Sequence, residues 1–100
     1  MRKDFQRIIA LSEQMLVKAR SSKWDELLTL ENERGVLMEG FFSQQIDNSA
    51  KQRVTEGIQL ILEKDREVAA LSVARRKVLR SSLSKMGKNK NAVQAYAASA

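Results

Sequence analysis

The stretch RIIALSEQMLVKARSSKWDELLTLENER, residues 7–34, decides the fold because it holds two helical patterns and the break between them. Before the break, apolar or small residues recur at intervals of three and four, the period of an α-helix. This stripe consists of Phe5, Ile8, Ile9, Ser12, Met15, Leu16 and Ala19. It stops at residues 20–23, where Ser22 can cap a second helix and Asp25 favours the positive end of that helix. Such a short turn predicts an antiparallel helical hairpin.

The second and third helices follow from the same periodicity. The second spreads its apolar residues over about half of its circumference, and these are Trp24, Leu27, Leu28, Leu30, Leu37, Met38, Phe41 and Phe42. Gly35 lies among them, where the missing side chain permits close approach of a neighbouring backbone. In the break at 42–51, Asp47, Asn48 or Ser49 can cap the third helix. That helix continues to about Met86, and Gly87 is expected to end it.

These elements predict an all-α fold in which an antiparallel helical hairpin packs on a long third helix, followed by a short C-terminal fourth helical segment. We expect one domain over residues 1–100, with helices at approximately 3–20, 23–44 and 50–86 and a tail helix at approximately 91–98. At ~1.5 Å per residue the third helix is about 55 Å long, roughly twice the length of either partner. About half of it, including Leu71 and Val78, is therefore expected to overhang the hairpin.

Composition argues against several classes of protein. The chain has no cysteine and no histidine, so it lacks thiolate ligands, the commonest general base and the commonest metal ligand. No glycine-rich phosphate loop, metal-ligand spacing or nucleophile beside a base is present, and we expect no enzyme activity and no cofactor or metal. No run of ~18 apolar residues is long enough to span a membrane. The N-terminus becomes polar too early for a signal peptide, so a cytoplasmic protein without a membrane partner is expected.

The positive charge is concentrated near the C-terminus. The net charge is +6, and residues 75–90 contain seven basic residues, while all 12 acidic residues lie elsewhere. The cations at 75, 76, 77 and 80 spread around more than half of the helix, and no helix-turn-helix or aromatic platform accompanies them, which disfavours nucleic acid. Arg75, Arg76 and Arg80 are instead candidate contacts for an acidic partner. An alternative function is therefore a small dimeric helical adaptor that binds an acidic protein or nucleic acid through this region.

Three segments together resemble the FliT family of flagellar export chaperones for the filament-capping protein FliD. They are RIIALSEQMLVKARSSKWDELLTLENER at 7–34, LILEKDREVAALSVARRKVL at 60–79 and KNKNAVQAYAAS at 88–99. The more specific features are the Trp-initiated second helix, the patch from Leu62 to Asp65 and the late Tyr96. The resemblance implies an apolar groove along the second and third helices that takes the C-terminal segment of the cap protein. It further implies contacts with the export ATPase complex or gate and, in some bacteria, with a flagellar transcription activator.

The candidate client-binding residues combine this groove with the apolar face of the third helix on which Leu60, Leu71 and Val78 recur. The set is Leu37, Phe41, Leu60, Val68, Leu71, Val78 and Leu79. The same face can equally be buried against the first or second helix or in a homodimer. Tyr96 is the candidate residue of a regulatory tail. Asp65 lies on the apolar stripe of the third helix, where a charge needs a partner, and Arg34 or Arg7 is the expected one.

Overall fold

The fold consists of three α-helices, as seen in a computed structural model that describes residues 2–86. Helix α1 spans Arg2–Arg20 and α2 spans Trp24–Phe42, two residues shorter at its end than predicted. A 3₁₀ turn at Asn48–Ala50 leads into α3, which spans Lys51–Met86. The predicted all-α class is thereby confirmed. The predicted fourth segment at 91–98, the Gly87 cap and Tyr96 lie outside the described residues, and within 2–86 no helix is long and apolar enough to cross a membrane.

Helix α1 contacts both of the others. Its Cα atoms approach those of α2 and of α3 within 8 Å, whereas among the described residues α2 and α3 meet only through side chains. Phe5 at the start of α1 stacks on Phe41 near the end of α2, with ring centroids 4.9 Å apart, so these two helices are antiparallel. Phe5 also lies against Gly57, and Arg20 at the other end of α1 bonds Glu67, so α1 and α3 run in the same direction.

The core contains two apolar clusters, one toward each end of α1. The first consists of Phe5, Ile8, Phe41, Val54 and Ile61. The second consists of Met15, Ala19 and Leu27, with Trp24, Leu30, Val68 and Leu71 packed around it. Both clusters draw residues from all three helices once the surrounding side chains are counted. Since buried apolar area is the main driving force for folding, the two clusters hold α2 and α3 onto α1.

A polar network links the three helices where the two clusters meet. The Arg34 guanidinium of α2 donates hydrogen bonds to the Ser12 hydroxyl of α1 at 3.0 Å and to the Asp65 carboxylate of α3 at 2.7 Å. Ser12 is fully buried, and its hydroxyl in turn donates to the backbone carbonyl of Ile8. The expectation that Asp65 needs a cationic partner is confirmed with Arg34, while Arg7 pairs with Glu33 on the surface instead.

The turn between α1 and α2 corrects the predicted role of Ser22. Its backbone is left-handed, with φ of 58°, and it follows the end of α1 rather than capping α2. Its N–H donates to the Ala19 carbonyl and the Lys23 N–H donates to the Lys18 carbonyl, the bond pair of a Schellman motif. Lys23 takes the N-cap position of α2 and makes no side-chain capping bond. Ser22 thus terminates the first helix at a position that usually favours glycine.

The overhang of α3 is shorter than predicted. Leu71 packs on the second core cluster, and the Arg75 guanidinium lies 5.2 Å from the centre of the Trp24 ring at the tip of the hairpin. Contacts with the hairpin therefore reach Arg75, and we define the overhang as residues 76–86, about 16 Å of helix. The prediction that Leu71 overhangs is wrong, because Leu71 packs on Met15, Ala19 and Leu27 at the turn end of the hairpin and only the part of α3 after Arg75 extends beyond it.

The close helix approach occurs at Gly57, and the prediction of such a contact at Gly35 is wrong. A Cβ added at Gly57 would overlap the Phe5 ring and lie 3.1 Å from Cδ1 of Ile9. A Cβ added at Gly35 would meet no atom within 4 Å. Gly57 therefore lets α1 and α3 come together, whereas Gly35 leaves an open patch on the surface of α2.

The left-handed turn predicts that Ser22→Gly stabilises the protein. A non-glycine residue pays about 1 kcal/mol in this conformation, and the greater freedom of glycine in the unfolded chain offsets part of the gain. We expect the free energy of unfolding to rise by about 0.5 kcal/mol, measured by urea denaturation. Ser21→Gly is the control, because Ser21 is not left-handed and its hydroxyl bonds the Val17 carbonyl. A decrease for Ser22→Gly equal to that of the control would contradict the assignment.

Replacing each of the two helical glycines by alanine should change the free energy of unfolding in opposite directions. Gly35→Ala should raise the free energy of unfolding by up to about 1 kcal/mol, because alanine is the better helix former and the space is open. Gly57→Ala gains the same propensity but forces the Phe5 ring away, which typically costs about 1–3 kcal/mol, so the net effect is a loss. Thermal and urea unfolding of both variants measure the difference. Equal stabilisation by the two substitutions would show that α1 and α3 are not in close contact here.

The polar network predicts that Arg34→Met lowers the free energy of unfolding strongly, because methionine keeps the apolar stem but lacks the guanidinium. Asp65 then lies among the helices without a cation, and we expect a loss of about 2 kcal/mol in the free energy of unfolding. The matched control is Arg7→Met, whose pair with Glu33 is half-exposed, with an expected loss of at most about 0.5 kcal/mol. Urea denaturation measures the stability of both variants, and an equal loss in the two would refute the role of Arg34 in linking the three helices.

Candidate functional site

The outer edge of the contact between α2 and α3 carries large apolar side chains that the fold leaves exposed. Leu28 and Phe42 on α2 and Leu62 and Val73 on α3 each keep between 40% and 55% of their surface accessible. We call this surface the open seam. Leu28, Gly35 and Phe42 are seven residues apart, and Leu62, Ala69 and Val73 follow at seven and four. Each set therefore lies along one face of its helix.

Contacts between α2 and α3 show that both faces border the same edge. On α2, Leu28 is one turn beyond Trp24, and the Trp24 ring lies against Arg75 of α3. On α3, Leu62 and Ala69 lie three residues before and four after Asp65, which bonds Arg34 of α2. Residues at these spacings project from the same side of a helix. The two apolar faces thus flank one groove, where the open surface at Gly35 leaves room for a third element.

Four of the predicted groove residues belong to the core or its margin. Phe41 is only 4% exposed and stacks on Phe5, so it offers almost no surface in this structure, and its role in client binding stays a prediction. Leu37 packs on the first core cluster. Val68 and Leu71 pack on the second. These side chains hold the helices together beneath the open seam, and their partial burial leaves little surface for a partner.

Leu60 is exposed on the other edge of α3, next to α1, and Val78 is exposed on the same face of α3 within the overhang. Leu60 is seven residues before Glu67, and Glu67 bonds Arg20 of α1 at 2.6 Å. Val78 is eleven residues after Glu67 and therefore on the same face. The structure does not bring this pair together with Leu37 and Phe41. Leu79 is half-buried and lies within the overhang.

The candidate acidic-partner contacts divide into two kinds. Arg75 is engaged with the Trp24 ring, a cation–π contact that fixes α3 to the hairpin tip. Arg76 and Arg80 are exposed on the overhang, three and seven residues beyond Val73, and therefore extend the α3 side of the open seam. Trp24 itself is half-buried in the second cluster, as expected of a residue that holds the turn.

A second groove runs along the opposite side of the hairpin, between α1 and α2. Its lining includes Val17, Thr29 and Leu30, and an ion pair between Lys18 and Glu26 at 3.1 Å crosses it. The hydrogen bond from the Lys18 ammonium, together with its charge, holds the pKa of Glu26 below the ordinary value. This ion pair ties the two helices together near their turn.

The chemistry of the open seam is that of a binding surface. The four exposed side chains that define it are aliphatic or aromatic, and residues 2–86 contain no cluster of acidic, histidine or cysteine side chains that could hold a metal ion. Apolar residues at helical spacing along a groove fit an amphipathic helix laid into it. One feature of the sequence points to this surface. A small residue lies within each of its two apolar rows, Gly35 between Leu28 and Phe42 on α2 and Ala69 between Leu62 and Val73 on α3. The periodicity alone does not show which stripe remains uncovered.

Comparisons with known proteins identify the family of this chain. The family model described as flagellar protein FliT matches residues 2–98. The flagellar protein FliT of Photorhabdus laumondii subsp. laumondii is 37% identical over 71 residues, covering 67% of this chain and 57% of the relative. The chain thus matches little more than half the length of that relative, and no solved structure matches it. The length of the family match and the identity show that the chain belongs to the FliT family of flagellar proteins.

Proposed function

We propose that the protein is a flagellar type III export chaperone whose open seam binds and shields the C-terminal segment of the filament-cap protein before export. The observation that carries the proposal is the alignment of Leu28, Phe42, Leu62 and Val73, four exposed apolar side chains along one groove. Exposed apolar side chains gathered along a groove mark a surface for another molecule. Membership of the FliT family supplies the flagellar setting.

The proposed mechanism is burial of an amphipathic client helix in the groove. The client presents apolar residues at intervals of three and four, which pack between the α2 and α3 faces of the open seam. Each fully buried aliphatic side chain contributes roughly 1.5–3 kcal/mol, part of which offsets the ordering of the client. Covering these residues keeps the client segment from assembling prematurely, and handover at the export gate then uncovers them.

The remaining partners follow from the same setting. We propose that the chaperone acts in the cytoplasm and reaches the export ATPase complex or the gate with its client bound. Contact with a flagellar transcription activator and formation of a homodimer belong to the same proposal. The role is one of binding, and it requires neither catalysis nor a cofactor.

The proposal predicts that the two exposed faces of α3 differ in their effect on client binding. The double variant Leu62→Asp/Val73→Asp places two carboxylates in the open seam and should weaken binding more than tenfold, because an apolar contact becomes a buried charge. The measurement is fluorescence anisotropy with a labelled C-terminal peptide of the cap protein from the same organism. Circular dichroism checks that the helices remain, which is expected because both side chains are exposed.

The matched control is Leu60→Asp/Val78→Asp, which adds the same charge at exposed positions of the same helix but on the face that carries Glu67 and is turned away from the seam. It should leave the affinity within about twofold of the original, which is the effect expected of charges that do not face the client. If the control abolishes binding and the seam variant does not, the client binds on the α1 side, as the residue pattern of Leu60 and Val78 predicts. If the original protein does not bind the peptide, the proposed function is wrong.

A further inference from the structure

The open seam has a strong charge asymmetry along its length. No acidic residue follows Glu67 in the chain, while Arg76, Lys77, Arg80 and Lys85 are all exposed on the overhang. Arg76 and Arg80 continue the α3 side of the seam beyond Val73, past the Trp24 end of α2. The seam therefore carries its exposed apolar side chains where α2 and α3 face each other, with Glu31 and Glu39 between them on the α2 face, and it is cationic where α3 extends alone.

Within the part of the chain that the structure describes, the cations of the overhang form no ion pair. The four ion pairs within residues 2–86 employ Arg7, Lys18, Arg20 and Arg34. Arg75 is the last cation with a described contact to the hairpin. A cationic surface that adjoins an apolar groove and serves no internal pairing attracts carboxylates on whatever lies in the groove.

The surroundings of these cations favour a protein helix over nucleic acid. Arg76, Lys77, Arg80 and Lys85 point to different sides of the overhang, so they do not form one row along a phosphate backbone. Leu83 is exposed three residues beyond Arg80, on the same face of α3, and phosphates offer no apolar contact to it. A helix that pairs its carboxylates with Arg76 and Arg80 while its apolar face remains in the seam satisfies both kinds of side chain.

We propose that the segment in the open seam is an amphipathic helix that runs parallel to α3 and carries Asp or Glu side chains in its last two turns, against Arg76 and Arg80. The inference rests on the proposed function because it describes the occupant of the same groove. The direction follows from electrostatics: the C-terminal end of a helix carries partial negative charge, and the overhang attracts that end together with its carboxylates. Carboxylates there weaken the isolated helix, so the segment orders mainly on binding.

The test uses two synthetic peptides of about 20 residues, enough to span about 30 Å as a helix. Both share one Leu/Ala face and the same composition. One carries lysines in its first two turns and glutamates in its last two, and the other has these positions exchanged. The first is the poorer helix on its own, because its charges oppose its dipole, so helicity alone would favour the second. Binding is measured by fluorescence anisotropy with the full chain at about 50 mM and about 500 mM NaCl.

The peptide with C-terminal glutamates should bind about fivefold more tightly at low salt, and high salt should remove the difference. The preference should vanish in Arg76→Gln/Arg80→Gln. It should persist in Lys3→Gln/Arg53→Gln, which removes the same charge from exposed positions elsewhere. Equal binding, the opposite preference, no binding of either peptide, or an unchanged preference in Arg76→Gln/Arg80→Gln would each overturn the inference. Short duplex DNA that displaces the peptide at about 200 mM salt would also overturn it, in favour of nucleic acid.

The two proposals fail separately. If the cap-protein peptide does not bind but the synthetic peptides show the expected preference, the proposed client is wrong and the charge polarity of the seam stands. If the cap-protein peptide binds but the synthetic peptides show no preference, the chaperone function stands and the inferred orientation is wrong.

Discussion

The bond between Arg34 and Asp65 constrains the rest of the architecture. Arg34 is largely buried, and it reaches Asp65 of α3 and Ser12 of α1 with the same nitrogen. Apolar contacts alone allow helices to slide by a turn at modest cost, whereas a charge left without its partner is costly. The network therefore sets the register of all three helices between the two core clusters. It also explains why a charged pair lies at a position that helical periodicity assigns to the apolar face.

That register determines what remains uncovered. Because α1 contacts both other helices closely, α2 and α3 meet only through side chains such as Arg34, Asp65, Trp24 and Arg75. Their outer edge is consequently open, and Leu28, Phe42, Leu62 and Val73 line it. The same register carries α3 past the hairpin tip, so the cations of the overhang continue one wall of the seam. The apolar groove and its cationic end are thus two consequences of how three helices of unequal length are aligned.

Much of the fold could be predicted from the sequence because it depends on local patterns. Periodicity identified α1, α2 and α3, and the position of Asp65 on an apolar stripe required a cationic partner that proved to be Arg34. The errors concern neighbours in space. Ser22 is an ordinary N-cap residue type, yet here it adopts a left-handed conformation that ends α1. Gly35 and Gly57 are both glycines inside a helical pattern, and only the position of the Phe5 ring, which lies against Gly57, distinguishes them.

Helical period and charge are properties of neighbouring residues, so the sequence alone predicts a helical protein with one long third helix and a cluster of cations near its end. Which apolar face of that helix remains exposed depends on how the three helices pack. Leu60 and Leu62 are equally apolar and nearly equally exposed, but the bond from Arg20 to Glu67 places one beside α1, and the bond from Arg34 to Asp65 places the other beside α2. The physical reason is that a helix has several faces that can be buried, and long-range contacts choose among them.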